Sequence, residues 1–210
     1  MIKDPIRALG VTPFDISVLQ SLYPSCRYIK DKARRLEEDG RIIRLKRGLY
    51  VAIQDDRPIC SELVANSLYG PSYVSRASAL RYWGLIPEHV YLSSSVTIKH
   101  KRYFKTPIGD FDYQNCSPAY FSIGIVEEVD RGAHFLIASP TKALCDYLNY
   151  WGYNLRFVKE VEPFLKEDLR FDMDRLDELD PDVIDACAKY GRKGGTLKVL
   201  LKYIRNERSI

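Results

Sequence analysis

No stretch of the 210-residue chain approaches the ~18 consecutive apolar residues of a membrane-spanning helix. The start, MIKDPIRALG, has no apolar core of a secretory signal, so the expectation is a cytoplasmic protein without a membrane partner. Histidine is scarce. His89, His100 and His134 stand alone, with no partner two or four residues on. No H-E-x-x-H, G-x-S-x-G or G-x-x-x-x-G-K occurs, which excludes the common zinc-hydrolase, serine-hydrolase and phosphate-loop signatures. The five cysteines (Cys26, Cys60, Cys116, Cys145, Cys187) are scattered, odd in number and form no C-x-x-C. They read as free thiols in a reducing compartment rather than a disulfide framework or a metal site. No cofactor or metal is expected, and neither internal repeats nor low-complexity tracts are present.

What remains is a globular composition, 46% hydrophobic and 29% charged, with length for one large domain or two small ones. The most informative stretch is Ser25 to Val51, SCRYIKDKARRLEEDGRIIRLKRGLYV. Ser25 after Pro24 can cap a helix, because its hydroxyl accepts from a free first-turn N–H. Ile29, Ala33 and Leu36 recur at the helical period, and Gly40 supplies the left-handed stop. Arg41 to Leu45 reads as a half-buried strand, Lys46-Arg47-Gly48 as a tight turn, and Leu49-Tyr50-Val51 as the return strand. A helix feeding a basic hairpin predicts a winged helix-turn-helix, with the helix in the major groove and the wing on the backbone.

Charge supports that reading. Ser25 to Tyr50 holds nine basic and four acidic residues, a balance of +5, against +4 for the whole chain. At about 100° per residue, Arg27, Asp31, Arg34 and Arg35 fall opposite the apolar face, with Tyr28 and Lys30 flanking. Arg27, Tyr28 and Arg34 are the candidates for base contact, since arginine can donate two bonds to guanine. Lys30, Arg35, Arg41, Arg44, Lys46 and Arg47 are the candidates for phosphate neutralisation. A module this small contacts little DNA, so a homodimer or a cooperative pair on a repeated site is expected.

The rest of the chain predicts an α+β organisation: a winged helix-turn-helix over 1–54, then a mixed domain over 58–210 with a small antiparallel sheet and a helical final third. Ile2, Ile6 and Leu9 share a helical face ended by Gly10. A second helix starts at Thr12-Pro13, or at Asp15 as cap. Helices are expected at Ile59–Leu68, Ala77–Trp83 and Pro140–Tyr150. Short strands over Val90–Ala138 suggest a β-meander, Tyr120–Val129 among them. Further helices follow near Leu155–Phe164, Met173–Leu179, Pro181–Tyr190 and Thr196–Ile204.

Two D-x-D pairs, Asp110/Asp112 and Asp172/Asp174, have the spacing with which transferases hold magnesium, but neither follows a Gly-Ser phosphate cradle. They read more simply as a strand turn and a solvated acidic run. Lys142 and Asp146, one turn apart, suit an intrahelical ion pair. Ser75 and Ser78 bracket a helix start, as caps do. Gly191-Arg192-Lys193-Gly194-Gly195 reads as a linker between helices. The chain is therefore not expected to be an enzyme.

Three separated pieces carry a resemblance: RIIRLKRGLYVA (Arg41 to Ala52), YVSRASALRYWGLIP (Tyr73 to Pro87) and FLIASPTKALCDYL (Phe135 to Leu148). Their order and spacing resemble the AbiEi-type antitoxins of abortive-infection (type IV toxin–antitoxin) systems and their transcriptional-regulator relatives. The resemblance covers most of residues 12–150. It implies a bacterial repressor that binds repeats in its own promoter and counters a nucleotidyltransferase-like toxin, usually without a stable complex between the two. Thr141 stands where relatives often have glutamate, so no role of that acid is carried over.

Overall fold

The computed structural model describes residues 5–54, 57–87, 92–150, 152 and 154–207. The chain is mixed α+β, with a small three-stranded antiparallel sheet near the N-terminus and a helical C-terminal stretch.

A 3-10 turn, Pro5–Leu9, buries Ile6 and ends at Gly10, while Ile2 lies outside the described residues. A two-residue strand follows, β1 (Phe14–Asp15), which the sequence reading did not contain. Asp15 settles the capping question. Its carboxylate accepts from the N–H groups of Ser17 (2.9 Å) and Val18 (3.1 Å) and starts α1 (Ile16–Leu22). The next helix, α2 (Ile29–Glu38), begins four residues after Ser25 and has no side-chain cap, so Arg27 and Tyr28 precede it rather than lie on it. Its stop is as expected. Gly40 has φ +65°, Gly40 N–H donates to Glu37 O, and Arg41 N–H donates to Leu36 O, which satisfies the last carbonyls.

The hairpin β2 (Ile42–Lys46) and β3 (Leu49–Ala52) completes the small sheet in the order β1-β3-β2, with an irregularity between Arg44 and Lys46. Both hairpin faces are occupied. Ile42, Tyr50 and Ala52 close a small core with Ile6, Phe14, Leu19, Ala33 and Leu36. Leu45 and Val51 belong to the large core of the rest of the chain.

That larger core surrounds a six-stranded sheet ordered β6-β7-β5-β4-β9-β8. Its strands are β4 (Ser72–Val74), β5 (Leu92–Thr97), β6 (Arg102–Thr106), β7 (Gly109–Asn115), β8 (Ile125–Asp130) and β9 (Ala133–Ala138). The expected meander is corrected on two counts. β4 lies in the middle of the sheet, paired parallel with β9, and β5 pairs parallel with β7. In addition, Tyr120 belongs to a short helix, α5 (Pro118–Phe121), started by Ser117, whose hydroxyl accepts from Tyr120 N–H. The larger sheet is therefore mixed, not small and antiparallel.

Around the sheet pack α3 (Ser61–Leu68), α4 (Arg76–Tyr82) and α6 (Pro140–Tyr150). Gly84 ends α4 as Gly40 ends α2, with Leu85 N–H on Leu80 O and φ +69°. The tail is a run of short turns around α7 (Val161–Pro163), a 3-10 turn over Met173–Glu178, and the helices α8 (Pro181–Tyr190) and α9 (Gly194–Glu207), which pack against each other. Asp180 caps α8, and its own N–H donates to the Thr141 hydroxyl at 2.8 Å. No described helix is long and apolar enough to cross a membrane.

Candidate nucleic-acid interface

The geometry of α2 follows from its apolar stripe. With Ala33 and Leu36 buried and Ile29 packed beside them, Arg34 is carried outward and Lys30 and Glu37 are exposed along the flank of the stripe. The hairpin then folds back beside it. Arg44 pairs with Tyr50 in register, so the two side chains share the hairpin face that looks toward α2. Between helix and hairpin runs a groove of about 520 Å³, lined by Lys30, Arg34, Glu37, Arg44, Arg47 and Tyr50, with Ile16 and Gly48 completing its walls. Four cations and one carboxylate thus face one concave surface. Gly48, at φ +79°, makes the tight turn that brings Arg47 into it.

The structure sorts the nine sequence-picked residues. Lys30, Arg34, Arg44 and Arg47 meet at the groove. Arg27 and Tyr28 sit in the turn ahead of α2, where the Tyr28 ring is 64% exposed and the Arg27 guanidinium lies 5.6 Å from its centre. Arg35 is exposed on α2 but outside the groove, and Arg41 is half-buried where the chain leaves the helix. Lys46 faces elsewhere. Its ammonium donates to Leu68 O at 2.5 Å, across the seam to α3. Burial, then the charges of Arg102 and Lys99, hold it below the usual lysine range. The cause is a break in the strand period: Arg44 and Lys46 flank the irregularity in the β2–β3 register, so Lys46 does not share the Arg44 face as a regular two-residue step would have it. Lys32, not picked from the sequence, lies 4.8 Å over the Tyr23 ring and braces the turn between α1 and α2. Arg34 also reaches Asp31 at 3.7 Å, a pair exposed on both sides and so of small energetic weight.

A second polar cluster lies in the large core. Lys142 and Asp146 do pair, at 3.5 Å, but both are fully buried rather than on a solvated face. The Asp146 carboxylate accepts from Tyr73 OH (3.0 Å), Ser75 Oγ (2.6 Å) and Tyr120 OH (2.6 Å). Lys142 donates to Tyr120 O at 3.0 Å. Burial and the Asp146 charge raise both tyrosine hydroxyls well above their usual range, so they stay protonated donors. The cluster ties β4, α5 and α6 together. Ser75 is spent here and does not cap α4, while Ser78 bonds the β5 backbone by donating to Leu92 O and accepting from Ser94 N–H.

The carboxylate pairs are occupied too. Asp112 pairs with Arg76, Asp110 accepts from Tyr103 OH, and Asp172 accepts from Asp174 N–H at the start of a 3-10 turn. Among the described residues no group of three or more His, Cys, Asp or Glu could hold a metal ion. The Gly191–Gly195 turn is tightly packed rather than a loose linker. Arg192 donates to Asn115 O, and Lys193 N–H donates to Asn149 Oδ1. Compared with known proteins, the chain matches no family model, and no curated protein matches it.

Proposed function

We propose that residues 1–54 are a winged helix-turn-helix that binds duplex DNA, with α2 as the recognition helix and the β2–β3 hairpin as the wing. The convergence of Lys30, Arg34, Arg44 and Arg47 on one groove between α2 and the hairpin carries this reading. Two facts support it. The order of strand, two helices and hairpin, with β1 beside β3 in the sheet, agrees with what a winged helix requires. The Ser25–Tyr50 stretch also holds more positive charge than the chain's net. Phosphate contacts from the groove would supply most of the affinity and make it salt-dependent. Arg27 and Tyr28, exposed just ahead of α2, and Arg34 are our candidates for base edges.

The cellular role we propose is autorepression of a toxin–antitoxin operon, with two copies on promoter repeats, and relief from a nucleotidyltransferase-like toxin. That part rests on the AbiEi-type resemblance of Arg41–Ala52, Tyr73–Pro87 and Phe135–Leu148. We read the chain as non-enzymatic, since each D-x-D carboxylate pair has a structural engagement.

A rival reading, a winged helix used for protein contact, draws support from the hairpin, whose second face packs on the large core instead of standing free. One titration separates the two. The purified chain is titrated with its own upstream duplex and with a scrambled duplex at two salt concentrations. Preference for its own DNA with a steep salt dependence is expected; a log–log slope near zero would favour protein contact.

A further inference from the structure

The corner between β5 and β6 reads Lys99-His100-Lys101-Arg102-Tyr103-Phe104-Lys105, four lysine or arginine residues with no acid among them. Residues Ile98 to Tyr103 are all exposed. β6 is an outer strand of the six-stranded sheet and touches β2 of the hairpin. Three cations gather there over a floor of two rings. Arg102 lies 5.3 Å from the Phe104 centroid and 5.7 Å from that of Tyr69, Lys99 lies 5.3 Å over Tyr69, and Lys46 lies 5.8 Å over Phe104. Among the described residues no salt bridge involves Lys46, Lys99, Lys101 or Arg102. The opposite face of β6 is neutralised, because Lys105 stands across from Asp110 in register and Tyr103 donates to Asp110.

Basic residues on an outer strand commonly keep sheet edges from pairing. Dispersed lysines do that. Here the cations are stacked on aromatic rings and crowd one another, an arrangement that repels itself until an anion arrives. The corner is also continuous with the groove. At the hairpin turn, Lys46 faces the corner and Arg47 lines the groove, so neighbouring residues join the two surfaces. A rigid polyanion fits both at once, since duplex DNA carries a charge per about 1.7 Å of axis.

We propose that the β5–β6 corner is a second backbone-contacting surface for the same duplex, with Lys101 and Arg102 on phosphates and Lys46 and Lys99 adding to the local positive potential. The proposal rests on the DNA-binding reading above. It extends the footprint past the hairpin and makes the larger unit part of the DNA interface.

The test is the salt dependence of full-chain binding to a duplex of about three helical turns (about 30 bp), followed by fluorescence anisotropy. The expected result is a log–log slope shallower by about 2 in Lys101→Gln/Arg102→Gln and by about 1 in Lys101→Gln. Lys101→Gln removes no packing over Tyr69 or Phe104, so it decides the matter if the double variant folds poorly. Parent-like slopes in Lys101→Gln and in a folded double variant, with Arg47→Ala still weakened, would overturn the corner and leave the winged-helix reading standing. Absence of binding by the parent protein would overturn both.

Discussion

Ser75 and Asp146 lie 71 residues apart in the chain and 2.6 Å apart in the structure. With Tyr73 and Tyr120 as further donors and Lys142 beside it, the Asp146 carboxylate is the polar centre of the large core. A buried carboxylate held this way contributes less through its own pairing than through the damage its removal does. Asp146→Ala leaves the Lys142 charge buried with neutral partners alone, the Tyr120 carbonyl and ring and the Cys187 sulfur, and strands three hydroxyl donors. The expected loss is about 3–5 kcal/mol by chemical denaturation. Tyr120→Phe removes the 2.6 Å bond and also the acceptor of Asn149 Nδ2, and should cost about 1–3 kcal/mol. A near-neutral Asp146→Ala would show that the cluster is not a unit.

Two glycine substitutions should differ in kind. At Gly40 an added Cβ meets nothing within 4 Å, so Gly40→Ala carries only the strain of φ +65°, about 1–2 kcal/mol. At Gly191 the Cβ would lie 2.5 Å from the Cys187 carbonyl oxygen and 2.9 Å from Asn149 Nδ2. Gly191→Ala must therefore push the α8–α9 turn off Asn149, and the loss should exceed that of Gly40→Ala. Thermal melts of the two variants side by side check this. Equal losses would mean that the turn yields freely.

Burial pushes the Cys60 and Cys116 thiols up to about 11 from an ordinary 9.0. The folded state thus favours the neutral thiol. This contribution to stability is full below pH 9 and is lost as pH rises through about 11. Denaturation midpoints measured across that interval should fall, and the fall should be shallower in Cys116→Ala. At pH 8 alkylation of Cys60 by iodoacetamide should be slow, rising as the pH approaches 11. A flat midpoint across the window would contradict this.

The legible parts of the fold were those written in local chemistry. Gly40 and Gly84 announced helix ends through left-handed stops, and the Lys46-Arg47-Gly48 turn announced the hairpin. The groove cations of the helix were legible because the helical period places Arg34 opposite Ala33 and Leu36 and Lys30 at the flank of that face. The start of α2 was misplaced because Ser25 has capping chemistry but the helix begins later, at Ile29, without it. The sheet was misread because parallel partners such as Val74 and Ile137 are joined by no turn signal. Lys46 was misplaced for a related reason: a strand irregularity and a carbonyl 22 residues away decide where its amine points. The Asp146 cluster was seen only as its local half, the one-turn spacing to Lys142.

The last prediction separates phosphate from base contacts in the groove. Arg47 sits at the hairpin turn and lines the groove, and on the DNA-binding reading it is a phosphate contact rather than a base contact. Arg47→Ala should weaken binding to specific and scrambled duplexes alike and flatten the salt slope by about 1. On the DNA-binding reading, Arg34, on the outward face of α2, and Arg27, exposed ahead of it, are the candidates for guanine edges. Their alanine variants should narrow the gap between specific and scrambled DNA by about 1–3 kcal/mol at one position each. Glu37 is the one carboxylate lining the groove, and Glu37→Gln should strengthen binding to every duplex by removing its repulsion of phosphate. Competition titrations with single-base operator variants read all four effects. If Arg27, Arg34 and Arg47 variants lost specific and scrambled binding in equal measure, the division between hairpin and helix would fail, and the groove would act as a charged surface without sequence readout.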